Sequence, residues 1–114
     1  MNEKEVFNDL LEKTQAGKGC ELKEHFENLS FEDTIKTMHA IERANGEARK
    51  TDKSLPRIEL LVYQQDKNVM QAKLHAPIYT PAGPVIRPIL ESNVVTDVTR
   101  QRMPGEKFVR CYNY

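Results

Sequence analysis

The sequence predicts an α+β fold, with two or three N-terminal helices packed on one face of a four- to five-stranded antiparallel sheet. Three observations carry this expectation. Apolar residues recur at helical spacing through the first half, then alternate with period two from Arg57 onward. Turn-forming residues punctuate the second half at short intervals, so its strands are joined by tight connections. The chain has 114 residues, enough for one domain, 1–114, with a helical part, 1–55, and a sheet part, 56–114. A chain of this size buries roughly 65% of its unfolded surface and needs no covalent staple.

The first helix starts at Asn2, whose side chain can cap an early amide, with Glu5 completing a capping box. Val6, Phe7, Leu10, Leu11 and Thr14 trace its buried face. Gly17 and Gly19 are expected to end it, because glycine takes a positive φ without steric cost. Residues 20 to 28 form a short second helix with Leu22 and Phe26 on one side. Ser30, followed by Glu32 and Asp33, caps a third, amphipathic helix. Phe31, Ile35, Met38 and Ile41 or Glu42 line its inner face, and Lys36, Arg43 and Glu47 its outer face. Pro56 prevents its continuation.

Ile58, Leu60 and Val62 alternate with Glu59, Leu61 and Tyr63, and Met70, Ala72 and Leu74 with Gln71, Lys73 and His75. A two-residue loop would set apolar residues of one strand opposite polar residues of the other. A three-residue loop of Asp66, Lys67 and Asn68 instead pairs Val62 with Ala72 and Leu60 with Leu74. Pro77, Pro81, Pro84 and Pro88 argue against a central strand across 77 to 88 and for an extended loop or edge strand, with a type I turn at Thr80-Pro81-Ala82-Gly83. Asn93 to Thr99, a Pro104-Gly105 turn and Lys107 to Tyr112 complete the sheet.

Seventeen basic and seventeen acidic side chains give zero formal charge, which excludes a polybasic nucleic-acid arm or an acidic mimic of one. The sum hides an asymmetry. Residues 1–55 carry nine basic against twelve acidic groups, and residues 56–114 eight against five. The N-terminus has no uninterrupted apolar stretch, and no run approaches the ~18 residues of a membrane span. A cytosolic location is therefore expected, with Cys20 and Cys111 reduced.

Each candidate chemistry meets a plainer alternative. Cys20, His25 and His39 lack the close ligand pairs of a zinc site. Cys111, between Arg110 and Tyr112, reads as a small buried hydrophobe and not as a nucleophile. Ala16-Gly17-Lys18-Gly19 follows a helix, whereas a phosphate loop follows a strand. The hairpin register sets Glu59 opposite His75 on a face shared with Leu61, Tyr63, Val69 and Lys73, an arrangement that fits a structural cross-strand pair better than an acid-base pair.

Two surfaces remain. Arg100, Arg102, Lys107 and Arg110, interleaved with Phe108 and Tyr112, have the composition of a nucleic-acid contact. The same stretch, ending at Tyr114 with no polar tail, equally suits protein association through an unblunted terminal strand. With no assembled catalytic set, the expected function is non-catalytic: binding another protein, as a regulator or inhibitor does, with self-association. A nucleic-acid-binding module is the alternative, and a small-molecule binder with the proline-rich loop as a pocket wall comes third. No cofactor, metal or membrane partner is expected. The candidate interaction residues are Arg100, Arg102, Lys107, Phe108, Arg110, Tyr112 and Tyr114, with Glu59, Tyr63 and His75 as weaker candidates.

Overall fold

Helix formation in the first half follows from capping and from one apolar stripe per helix. In the computed structural model, which describes residues 2–66, 69–95 and 107–113, three helices precede four strands. They are α1 (Glu3–Gln15), α2 (Gly19–Glu27), α3 (Phe31–Thr51), β1 (Glu59–Asp66), β2 (Val69–Thr80), β3 (Gly83–Val95) and β4 (Lys107–Cys111). Asn2 Oδ1 accepts from the Glu5 amide at 2.9 Å, and Ser30 Oγ from the Asp33 amide at 3.0 Å, so both expected N-caps are made. Helix α3 turns Ile41 inward and leaves Glu42 half-buried. It stops at Thr51, ahead of Pro56, where Asp52 caps the chain and accepts from Ser54.

The strands form one antiparallel sheet in the order β1-β2-β3-β4. Leu60 pairs with Leu74 and Val62 with Ala72, the register that the hydrophobic pattern requires. The odd residue lies elsewhere than expected. Asp66 pairs with Val69, and the register shifts between Gln64 and Asp66, so a bulge in β1 takes the extra residue and the connection shortens to positions 67–68. Lys67 and Asn68 fall outside the described residues, as does the expected Pro104-Gly105 turn.

Pro77, Pro84 and Pro88 correct the expectation of a loop or edge strand, because they lie in the two central strands, with Pro81 in the turn between them. The reason is length. β1 pairs with β2 only as far as His75, and β4 with β3 only as far as Leu90. Beyond those points β2 and β3 continue as a ribbon paired, among the described strands, only with each other, where proline's missing N–H leaves no bond to a third strand unmade. The ribbon turns at Pro81-Ala82, with Thr80 Oγ1 donating to Gly83 O at 2.7 Å.

All three helices lie on one side of the sheet. Leu10, Leu22, Phe26, Met38 and Ile41 pack against Ile58, Ala72, Leu74, Ala76, Ile89 and Leu90 to form the core. A bulge in β3 makes this seat: Leu74 pairs with Leu90 and His75 with Pro88, so Ile89 is the extra residue and both Ile89 and Leu90 are buried. Gly17 (φ +71°) closes α1 as expected. Gly19 does not end a helix but opens α2. A Cβ on it would stand 1.8 Å from Ile89 O and 2.6 Å from Tyr112 O, so only glycine lets α2 reach the sheet.

Cys20 and Cys111, expected to be reduced, are joined by a disulfide with Cα atoms 4.7 Å apart. They are far apart in sequence, and only the docking of α2 on β4 brings them together. Gly19→Ala is expected to destabilise the protein by at least about 3 kcal/mol, through forced separation of α2 from the β3 bulge. Gly46→Ala, at a helical position with nothing within 4 Å of the added Cβ, is expected to stabilise it by about 0.5–1 kcal/mol. Urea midpoints of the two variants check both signs.

Candidate functional site

Strand alternation sends Glu59, Leu61 and Tyr63 to the side of the sheet opposite the helices. The same parity places Gln71, Lys73 and His75 of β2, Glu91 and Asn93 of β3, and Phe108 and Arg110 of β4 on that side. Cys111 faces α2, so Tyr112 turns outward. Six of the expected site residues (Glu59, Tyr63, His75, Phe108, Arg110 and Tyr112) therefore share one surface, although they come from three strands. None of the helices covers it.

The middle of this face is polar, and its ends carry Tyr63 and Leu61 on one side and Phe108 and Arg110 on the other. One cross-strand row reads Tyr63, Gln71, Asn93, Phe108, and the next Leu61, Lys73, Glu91, Arg110. Lys73 Nζ lies 3.8 Å from Glu91 Oε1, whose side chain is only 8% exposed. Its distance of 5.8 Å from the Tyr63 ring centre is at the outer limit of a cation–π contact. A hydrogen bond to Tyr63 is the main influence that raises the Lys73 ammonium above its ordinary pKa; desolvation opposes it, and the charge of Glu91 adds to it. Gln71 is 5% exposed, and Gln71 Oε1, Asn93 Oδ1 and His75 Nδ1 are buried with no hydrogen-bond partner among the described residues.

Glu59 and His75 stand opposite each other as the register requires. Glu59 is nonetheless bound elsewhere, its Oε1 3.1 Å from Arg57 Nε. The two do not form an acid-base dyad.

Lys107 is a correction. Expected to contact a ligand, it faces the helices, and its Nζ donates to the carbonyls of Phe26 and Leu29 beyond the end of α2. Burial pushes its ammonium below the ordinary lysine value. It serves as a helix cap supplied by another element. The terminal strand is also less open than expected, since Asn113 bridges to Lys18 and accepts from the Cys20 amide at 2.9 Å. Arg100, Arg102 and Tyr114 lie outside the described residues.

Several polar side chains with structural work were invisible to the sequence pattern. Asn45 is buried in α3, where it accepts from Gln15 at 3.1 Å and donates to Pro56 O at 2.9 Å. Glu42 Oε2 accepts from the Leu60 amide at 2.7 Å and occupies part of the free edge of β1. Both cysteines are consumed by the disulfide, and among the described residues no three His, Cys, Asp or Glu side chains gather at metal-binding distance. Among the described residues no helix is long and apolar enough to cross a membrane. The chain matches no known protein family, curated protein or solved structure.

Lys73→Met is expected to cost about 2 kcal/mol by stranding the buried Glu91 carboxylate, and Glu91→Gln added to it is expected to recover more than half of that loss. A folded-state pKa raised above the unfolded value means that the Lys73 contribution is whole at neutral pH and declines only as pH climbs past about 10.4. Urea titrations of the three proteins at pH 7 and at alkaline pH read both effects.

Proposed function

We propose that this chain is a non-catalytic binding protein whose helix-free sheet face docks another protein, as a regulator or inhibitor does. The observation that carries this reading is the apolar surface presented there. Leu61 (51% exposed), Tyr63 (38%) and Phe108 (51%) lie on one face, and the ribbon continues it with Ile86 (48%) and Tyr79 (75%). Exposed aromatic side chains gathered with aliphatic ones on one face are among the residue types that mark protein interfaces.

Electrostatics favour this reading over nucleic acid. Among the described residues of the face Lys73 lies beside Glu91 and Glu59 is taken by Arg57, which leaves Arg110 as the one further cation, whereas phosphate binding needs several uncompensated cations. Lys107, one of the cations on which the nucleic-acid alternative was built, is committed to α2. The small-molecule reading placed the proline-rich stretch as a pocket wall, and that stretch is an exposed ribbon. Self-association would use the face in preference to strand edges, because Glu42 blocks β1 at Leu60 and Lys18 meets β4 beyond its end. We place the protein in the cytosol, where the Cys20–Cys111 pair is exposed to thiol exchange.

A photo-crosslinking residue at position 108 in the host cell is expected to capture one protein partner, or a second copy. The same residue at position 43, on the outer side of α3, is expected not to capture it. Leu61→Asp is expected to weaken capture at position 108 at least tenfold with an unchanged urea midpoint. Equal capture at both positions, or indifference to Leu61→Asp, would show that the face is not the docking surface.

A further inference from the structure

We propose that the Cys20–Cys111 bond is an exchangeable clasp, and that Cys20 is the sulfur at which a small external thiol attacks. Accessibility singles out this atom. Cys20 is exposed on the first turn of α2, whereas Cys111 is half-buried between β4 and the helix layer. A thiolate approaching from solvent meets Cys20 first.

The chemistry needs only a low-molecular-weight thiol and its disulfide, of the glutathione class. The thiolate forms a bond to Cys20 Sγ, the Cys20–Cys111 bond breaks, and Cys111 leaves as a thiolate that takes up a proton. A second thiolate attacks the adduct, releasing the small disulfide and the Cys20 thiolate, which is protonated in turn. Two thiols are oxidised to one disulfide and the protein disulfide is reduced to two thiols. The reverse sequence closes the clasp.

The bond is a clasp and not a staple because the seam under it is also held without it. Gly19 lies against Ile89 O, the Tyr112 amide donates to Ile89 O at 2.9 Å, and the Cys20 amide donates to Asn113 Oδ1 at 2.9 Å. At the far end of the helix, Lys107 holds the carbonyls of Phe26 and Leu29. Opening the disulfide therefore loosens residues 111–113 and the start of α2 while the core stays folded. The loosened stretch adjoins Arg110 and Tyr112, so opening the clasp alters the docking face. Only this consequence rests on the function proposed above; the exchange itself does not.

The full chain, incubated in glutathione buffers, alkylated and weighed intact, tests the assignment without any partner, so its result is independent of whether the face binds protein. Reduced glutathione is expected to make both sulfurs alkylatable in the folded protein. An acid-trapped adduct is expected on Cys20, and oxidised glutathione should restore the starting mass. Amide exchange is expected to quicken about tenfold or more at Cys20 and Tyr112 and to stay slow at Leu74 and Leu90. Cys20→Ser should show the same fast exchange without glutathione. Alkylation only in denaturant, an adduct on Cys111 in place of Cys20, loss of protection at Leu74 and Leu90, or a Cys20→Ser variant as protected as the oxidised protein would each overturn the proposal.

Discussion

The contact between the Gly19 backbone and the Ile89 carbonyl is the constraint on which the rest of this structure depends. A bulge in β3 turns Ile89 and Leu90 to the same side, and α2 can seat on that side only because its first residue has no side chain. Once α2 is seated, Cys20 meets Cys111 at one end and Lys107 reaches the helix carbonyls at the other. Two attachments of different chemistry thus fix the short helix along β4. Nine residues of helix would be marginal alone, so its stability comes from this docking.

Seating α2 has a consequence for the opposite side. With α1, α2 and α3 all on one face, the core forms there, and several polar groups on that side are spent on closure, although Thr34 Oγ1 and Ser92 Oγ are buried there with no hydrogen-bond partner among the described residues. Thr14 bonds to Leu10 O, Asn45 joins α1 and α3 to Pro56, and Glu42 covers the Leu60 amide. The other face keeps exposed Leu61, Tyr63 and Phe108 around Lys73 and Glu91, with three buried polar atoms unpaired among the described residues. The exposed apolar side chains of this face are the area that a partner would cover in the function proposed above.

Much of this arrangement was legible in the residues. Parity alone specified the β1–β2 register, because a slip by one position would set Leu60 and Leu74 against water. Parity could not distinguish a longer loop from a bulge near Gln65, since both restore the same pairing. Proline argued for a loop or edge strand at 77–88 but could not show that these residues pair with each other in central strands that outrun their neighbours, which depends on strand lengths set elsewhere. Shared orientation of Glu59, Tyr63, His75, Phe108, Arg110 and Tyr112 followed from alternation once the strands were aligned. Lys107 and the two cysteines were misread for one reason: each is defined by α2, and helix docking onto a distant strand leaves no periodic signal. Asn45 escaped notice because a polar residue in a helix reads as solvent-facing unless its buried partner is known.

The decisive measurement is a set of nuclear Overhauser contacts from isotopically labelled protein, which reports directly which side of the sheet the helices cover. Gly19 α-protons are predicted to contact the Tyr112 backbone, and Leu74 and Leu90 methyls to contact Leu22, Phe26 and Met38. Leu61, Tyr63 and Phe108 are predicted to show cross-strand contacts and none to the helices. Contacts from Leu61 or Phe108 to helical side chains, or the lack of any between Gly19 and Tyr112, would contradict the one-sided architecture and the docking face derived from it.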